Sequence, residues 1–552
     1  MTSLCSITLP DGSVTEVQRL TKLATLLAPF DNDPKNPIVA AQVNNEVLDL
    51  NRSAEISAHV RPVRLRSPEG VRCYRQSLCF LLSLAVHRLD PELRLLIGHS
   101  LGNSYYYSFK NTEAEPDLLV RIEEEIDRLV SADEPIGQTM LSYQEAMRYF
   151  TEQGLDETVS LLSHRNESRF RAHFCGNFYD ISHGPLVPRT GLLAHFALKK
   201  LDTGFVLRFP SHKTPHKLAP YQHSPLLYST YQEYKEWGRI LGITSVGRLN
   251  QKVVDSQIQG FVQINEALHE KKISDIAKQI VAKEPKPWLV LIAGPSSSGK
   301  TTLTKKLSLQ LSAQGKRPVL ISVDNYFVNR EDTPKDEHGD YDFERIQAID
   351  IELFNDHLLR LEQGETVEVP EFDFRSGMRK YSGNYVALPE GGILLVEGIH
   401  CLNDELTPRV NSEQKFKVYV SALTQLNLDD RNRISTTDNR LIRRMVRDCQ
   451  FRGHSAEDTL SMWPSVRRGE RKSIFPFQDS ADVAFNSALD YELGVLKAHA
   501  EPLLRRVKPE SENYTEAVRL AAFLSNFTNI ADKFVPEYSI LREFIGDSGF
   551  HY

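Results

Sequence analysis

The stretch Trp288-Leu289-Val290-Leu291-Ile292-Ala293-Gly294-Pro295-Ser296-Ser297-Ser298-Gly299-Lys300-Thr301 decides how the rest of the chain is read. It opens with a continuous apolar run, the pattern of a strand buried on both faces of a parallel sheet. The residues from Gly294 to Thr301 match GxxxxGK[ST] at every fixed position. Thr302 to Gln314 then have helical spacing, so the loop lies between a strand and a helix. Backbone N–H groups of such a loop and of the helix N-terminus cradle phosphate oxygens, the lysine reaches the β- and γ-phosphates, and the threonine hydroxyl holds Mg²⁺. Candidate ATP-binding residues are therefore Gly294, Pro295, Ser296, Ser297, Ser298, Gly299, Lys300, Thr301 and Thr302, with Lys300 also a catalytic candidate.

Working outward, Pro318 to Val323 reads as a strand ending at Asp324-Asn325-Tyr326-Phe327, and Gly392 to Val396 as another ending at Glu397. Carboxylates at the C-terminal edge of a parallel sheet face the ligand crevice. Two of them beside Mg-ATP suit one base and one metal contact. Thr436-Thr437-Asp438 opens a helix in which Arg440, Arg443, Arg444 and Arg447 fall on one face, with Arg452-Gly453 ending it. Only Asp438 and Asp448 offset that charge within the stretch, so a bound polyanion is expected against the arginines.

Composition restricts the alternatives. With 552 residues the chain is long enough for several domains. Lys plus Arg at 66 against Asp plus Glu at 73 leaves a net charge of −7, so no global positive field draws it onto nucleic acid. Basic residues at Arg61, Arg64, Arg66, Arg72 and Arg75 keep a local RNA patch open as an alternative. Six cysteines without a CxxC pair argue for a reducing compartment, and the cytoplasm is expected. No apolar run is long enough to span a bilayer, and Met1-Thr2-Ser3-Leu4 does not read as a signal peptide.

Five blocks follow. Residues 1–65 pattern as a β-hairpin around Pro10-Asp11-Gly12-Ser13, a short helix over Val17 to Leu27, and strands at Ile38 to Val43 and Val47 to Leu50. This order resembles the TGS domain, a ubiquitin-like fold found at the N-terminus of threonyl-tRNA synthetases. Residues 66–225, with a helical run at Tyr74 to Leu89, resemble the second additional domain of threonyl-tRNA synthetase, which carries its editing site. The HxxxH pair of that family is replaced by Gln76 and Phe80. Its downstream Cys/His element is matched only by Cys175-Gly176, His183 and Pro188-Arg189-Thr190-Gly191. His164, His173, Cys175 and His183 therefore read as ordinary polar and core residues, and editing is not expected. Residues 226–285 read as a helical connector, 286–507 as the nucleotide-binding block, and 508–552 as a helical extension that packs on that block or a partner chain and carries no chemistry.

The block 286–507 resembles the uridine kinase and phosphoribulokinase family through the loop, Asp324-Asn325-Tyr326-Phe327, Tyr341 to Asp350, Val369 to Arg379, Leu395 to Ile399 and Thr437 to Gly453. The resemblance implies an α/β P-loop kinase with a parallel sheet, preceded by the α+β TGS-like and synthetase-like domains. It makes Asp324 the base, Glu397 the Mg²⁺ contact together with Thr301 and Asp324, Arg447 and Arg452 lid arginines near ATP, and Arg444 an arginine that touches the nucleoside. It lines the acceptor site with Tyr326, Glu344, Arg345, Phe372, Arg379 and Arg444. The family's residues for reading pyrimidine and ribose are altered here: Glu344 stands for an Asp, Phe372 and Gly377 for a Tyr and a His, and His454 for an Arg. The expected activity is transfer of the γ-phosphate of Mg-ATP to a nucleoside 5′-hydroxyl. A kinase of another sugar hydroxyl, or an ATP-binding regulator that binds RNA or tRNA, are the alternatives. A second copy of the chain is a further candidate partner.

Overall fold

The computed structural model describes residues 4–211, 214–335, 339, 341–373 and 376–551. Met1-Thr2-Ser3 and positions 374–375 of the 369–379 stretch lie outside the described residues. In β1 (Leu4–Thr8) Cys5 and Ile7 are buried between exposed neighbours, the alternation of a half-covered strand. A turn at Gly12 leads to β2 (Val14–Gln18), then α1 (Leu23–Leu27), β3 (Ile38–Val43), β4 (Glu46–Leu48) and β5 (Ala58–Arg64). The sheet order is β2-β1-β5-β3-β4 with β1 and β5 parallel, a ubiquitin-like α+β layout. The helix expected from Val17 is shorter: Val17 pairs with Cys5 in the hairpin, and Leu20 has φ +77°, which a helix does not admit.

Ser67 accepts a hydrogen bond from the Gly70 N–H and so caps α2 (Pro68–Leu89). It is followed by β6 (Leu95–Ser100), β7 (Ser104–Phe109), α3 (Pro116–Ala132), β8 (Gly137–Ser142), α4 (Tyr143–Glu152), α5 (Asp156–Ser163), β9 (Arg169–Cys175), β10 (Phe178–Ile181), β11 (Ala197–Leu201) and β12 (Gly204–Arg208). These strands form two antiparallel sheets, β11-β12-β7-β6 and β10-β9-β8, packed with α2 and α3 around one core. Three helices, α6 (Pro225–Leu241), α7 (Val246–Val254) and α8 (Ile258–Ala282), lead onward.

The nucleotide-binding block begins with β13 (Leu289–Ala293), every residue of which is buried. Then come α9 (Lys300–Ala313), β14 (Pro318–Ser322), α10 (Ile351–Glu362), β15 (Thr366–Glu368), β16 (Glu371–Asp373), β17 (Met378–Lys380), β18 (Tyr385–Ala387), β19 (Ile393–Glu397), β20 (Lys415–Ser421), α11 (Thr436–Phe451), α12 (Ala456–Ser473), β21 (Val483–Asn486) and α13 (Glu492–Leu504). An all-parallel sheet ordered β14-β19-β13-β20-β21 results, with β15–β18 set apart as two small hairpins. Helices cover this sheet; on one side Ile273, Ile276 and Ile280 of α8 share a core with Leu303, Leu307 and Leu311 of α9. The chain ends in α14 (Tyr514–Leu524) and α15 (Arg542–Ile545), and Ile540, Leu541 and Phe544 are buried in that same core.

Candidate active site

Register brings the chemistry to one edge. Ile292 of β13 and Ser322 of β14 both pair with Glu397 of β19, so the loop after β13 and the carboxylates after β14 and β19 emerge side by side. Gly294 opens the loop where a Cβ would stand 2.2 Å from the Val420 carbonyl, so only glycine passes β20 there. Gly299, at φ +80°, turns the chain into α9.

Thr301 Oγ1 donates to Glu397 Oε1 at 3.4 Å, and Ser322 Oγ donates to the same oxygen at 3.2 Å. Burial, with the neighbouring Asp324, pushes the Glu397 carboxyl up to about 7, against the pull of Lys300. Burial likewise raises Asp324, while Lys300 and Arg452 pull it down. Glu344 is pushed up to about 7 by burial and drawn down by Arg444 and Lys300. Lys300 Nζ donates to the Pro295 carbonyl at 3.3 Å, and its charge acts on all three carboxyls, Asp324, Glu344 and Glu397. In the loop, the buried hydroxyls of Ser297 and Ser298 have no hydrogen-bond partner. Orphaned donors in a loop with a helix N-terminus behind it fit a phosphate chain. Thr301, Glu397 and Asp324 offer the hard oxygen donors that Mg²⁺ takes.

The arginine helix departs from expectation. Arg440 and Arg443 do not face an open polyanion site: they are fully buried and ion-paired, Arg440 with Glu470 and Arg443 with Glu492 at 2.5 Å. Counter-charges from α12 and α13, remote in sequence, satisfy them. Further hydrogen bonds hold the loop from behind, Arg440 Nε donating to the Ser296 carbonyl at 3.0 Å and Arg443 Nη1 to that of Ser297 at 3.3 Å, while Arg443 also donates to the Ser487 hydroxyl at 3.1 Å and carbonyl at 2.8 Å. Glu470 in turn accepts the Ser296 N–H at 3.2 Å. Arg444 reaches the loop directly, donating to Ser296 Oγ at 2.8 Å. Arg444, Arg447 and Arg452 converge on the buried Asp448.

The acceptor-side residues are less uniform. Tyr326 is fully buried against Phe354, with its hydroxyl 3.1 Å from His357 Nδ1, so that hydroxyl is turned into the core rather than toward an acceptor. Phe372 is buried against Phe327. Arg379 pairs with Asp350 at 2.8 Å, and the exposed Arg345 with Asp342 at 3.0 Å. Glu344 stands electrostatically close to Arg444, Lys300 and Asp324.

The editing-like residues are scattered. A Cβ on Gly184 would approach Gln76 Oε1 to 3.0 Å, so the 182–186 turn lies against Gln76. Phe80 packs edge-on to Phe178. Cys175 Sγ donates to Glu134 at 3.2 Å, His173 Nε2 lies 2.9 Å from Asp49, and His183 Nε2 lies 3.0 Å from Asp429 across the boundary with the nucleotide-binding block. No group of three His, Cys, Asp or Glu side chains that could hold a metal ion occurs among the described residues.

Glu470, Glu492 and Glu543 escaped the sequence reading. The first two lie on helices with no motif, and only their burial marks them; Glu543 accepts from Thr302 at the start of α9, in the tail that was expected to carry no chemistry.

Parallel sheet, loop and strand-end carboxylates give this segment the fold of a P-loop nucleotide-binding domain. Residues 289–493 match the model of the Phosphoribulokinase / Uridine kinase family. The N-terminal region is similar to threonine–tRNA ligases: that of Halorhodospira halophila is 31% identical over 198 residues, and that of Symbiobacterium thermophilum 32% over 200. Each match covers 36% of this chain and 31% of the relative, so the chain spans about a third of the length of these curated relatives. A solved structure described as a possible uridine kinase from Bacillus stearothermophilus is 23% identical, covering 39% of this chain and 98% of its own, with a TM-score of 0.25.

Proposed function

We propose that the chain is an ATP-dependent kinase that transfers the γ-phosphoryl group to a nucleoside 5′-hydroxyl or a similar sugar hydroxyl. The observation that carries the reading is a loop whose Ser297 and Ser298 hydroxyls are buried and unpartnered, leading through Lys300 to Thr301, whose hydroxyl meets the strand-end carboxylate of Glu397 at 3.4 Å. ATP is bound by residues 294–302. Asp324 takes the proton of the acceptor hydroxyl, the new O–P bond forms as the bond to the β-phosphate bridging oxygen breaks, and ADP leaves. Phosphoryl transfer needs little covalent help, so positioning and charge stabilisation by Lys300, Arg444 and the lid arginines Arg447 and Arg452 dominate. Thr301, Glu397 and Asp324 are the residues that would hold Mg²⁺, which when bound would supply positive charge against the phosphates.

Glu344 accepts sugar hydroxyls in this scheme, beside Arg444. The Tyr326 hydroxyl is committed to His357 and Phe372 is buried, so these two described residues offer no polar group to a base edge. This favours recognition through the sugar, and keeps another sugar hydroxyl as a second acceptor reading. The six free cysteines are compatible with the reducing compartment proposed here, the cytoplasm. Among the described residues no helix is long and apolar enough to cross a membrane. Acceptor-dependent ADP release by the full chain, compared with Lys300→Ala, tests the reading.

A further inference from the structure

The C-terminal segment lies on the nucleotide loop. Glu543 Oε2 accepts from the Thr302 backbone N–H at 3.2 Å and from Thr302 Oγ1 at 2.5 Å. Thr302 is fully buried and belongs to the first turn of α9, where amides without intrahelical partners point at an incoming anion. One of the donors of the phosphate cradle is therefore already held by a carboxylate of the same chain. The contact is built from several directions. Ile540 comes within 2.6 Å of where a Cβ on Gly299 would stand, and Lys306 Nζ donates to the Tyr538 carbonyl at 2.8 Å. Lys305 donates to the His551 carbonyl. On the other side Gln450 Nε2 of α11 donates to the Ile545 carbonyl at 3.1 Å, and Phe544 lies under the Arg443 guanidinium at 5.0 Å. The segment thus bridges the loop helix and the arginine helix.

We propose that Glu543 is an internal competitor for nucleotide: its carboxylate occupies a phosphate-binding donor position at the start of α9, and a nucleotide gains its full contacts only when Glu543 leaves Thr302. The inference rests on the nucleotide-loop reading above. A carboxylate and a phosphate both seek the same positive helix end and cannot share one N–H donor at close range. Ile540, Leu541 and Phe544 are fully buried, so the segment stays docked while the Glu543 side chain rotates away. Whatever draws Glu543 elsewhere would raise nucleotide affinity and so govern turnover.

The test is titration calorimetry of the full chain with ADP and with ATP, for wild type, Glu543→Gln and Lys300→Ala. Glutamine keeps the shape and an acceptor oxygen for the Thr302 N–H, so folding is retained while the charge is removed. At least a tenfold lower Kd for Glu543→Gln than for wild type is expected, with hydrogen exchange at 538–546 the same in nucleotide-bound and free wild type because only the Glu543 side chain moves; faster exchange there on binding would contradict a docked segment. Equal or weaker binding by Glu543→Gln, with wild type still binding and Lys300→Ala not, overturns the competitor and leaves the loop reading standing. Binding by neither wild type nor Glu543→Gln overturns both.

Discussion

Asp324 and Glu344 are both carboxylates held above their ordinary range by burial, but they are assigned different work, and substitution separates them. Asp324→Asn keeps the size and the hydrogen-bonding shape of the side chain while removing the base. A positioned general base contributes about 10²–10⁴-fold, so kcat falls by that order while nucleotide Kd moves little; single-turnover rates beside nucleotide titration read both. A matched loss of affinity would show that Asp324 binds rather than abstracts. For Glu344 the sign follows from its pKa, raised from the ordinary 4.5 to about 7. Between those values the folded protein holds a proton that the unfolded chain has released, so this group makes stability fall as pH rises through that window. Glu344→Gln removes that component, and its thermal midpoint declines less steeply with pH than that of wild type. Superimposable curves would contradict the burial argument. At this scale Lys300, Asp324 and Glu397 were legible because each sits at a fixed distance from a strand end or a motif. Tyr326 was not: whether its hydroxyl faced a ligand or His357 depended on α10, which no local pattern specifies.

The arginine helix shows where element-scale reading stops. The spacing of Arg440, Arg443, Arg444 and Arg447 predicts a helix, and α11 spans all four, capped by Ser435. Spacing alone cannot assign counter-charges that arrive from other helices. Glu470 of α12 and Glu492 of α13 neutralise the inner pair, Asp448 gathers the outer ones, and Arg519 of α14 takes Asp438 through two hydrogen bonds of 2.7 and 2.8 Å. The helix is therefore a clamp on the loop on one side and a candidate phosphate contact on the other. Removing one member of a buried pair leaves its partner charged and unsolvated, at about 3–5 kcal/mol. Glu492→Ala should lose about that much stability in urea unfolding, whereas Arg444→Ala, on the half-buried side, should lose turnover with a far smaller change in stability. The reverse ranking would mean that Arg443 and Glu492 face the ligand after all.

Across the whole molecule, the synthetase-like elements grip the segment that leads into α11. His183 meets Asp429, Thr158 donates to Asp430 at 2.9 Å through its N–H, Arg431 donates to the Tyr179 carbonyl at 3.0 Å, and His99 Nε2 lies 3.0 Å from Thr436 Oγ1. Gln76 and Phe80, where the editing histidines would stand, are packed against Gly184 and Phe178. On this account the N-terminal part supports the arginine helix and the chemistry belongs to the loop. Fold class was readable at this scale because β13 to α9 and the β1–β2 hairpin are local patterns. The domain contacts were not, since they join residues hundreds of positions apart through surfaces with no sequence signature.

Phosphoryl transfer to a sugar hydroxyl is tested by incubating the full chain with Mg-ATP and a panel of ribonucleosides, deoxynucleosides and phosphorylated sugars. ADP release and product mass are followed for wild type and Lys300→Ala. The expected outcome is ADP release that depends on one class of nucleoside or sugar, a product heavier by one phosphoryl group, and a loss of about 10²-fold or more in Lys300→Ala. Release that is independent of every acceptor, that is confined to an acceptor with no sugar hydroxyl, or that persists in Lys300→Ala would contradict it.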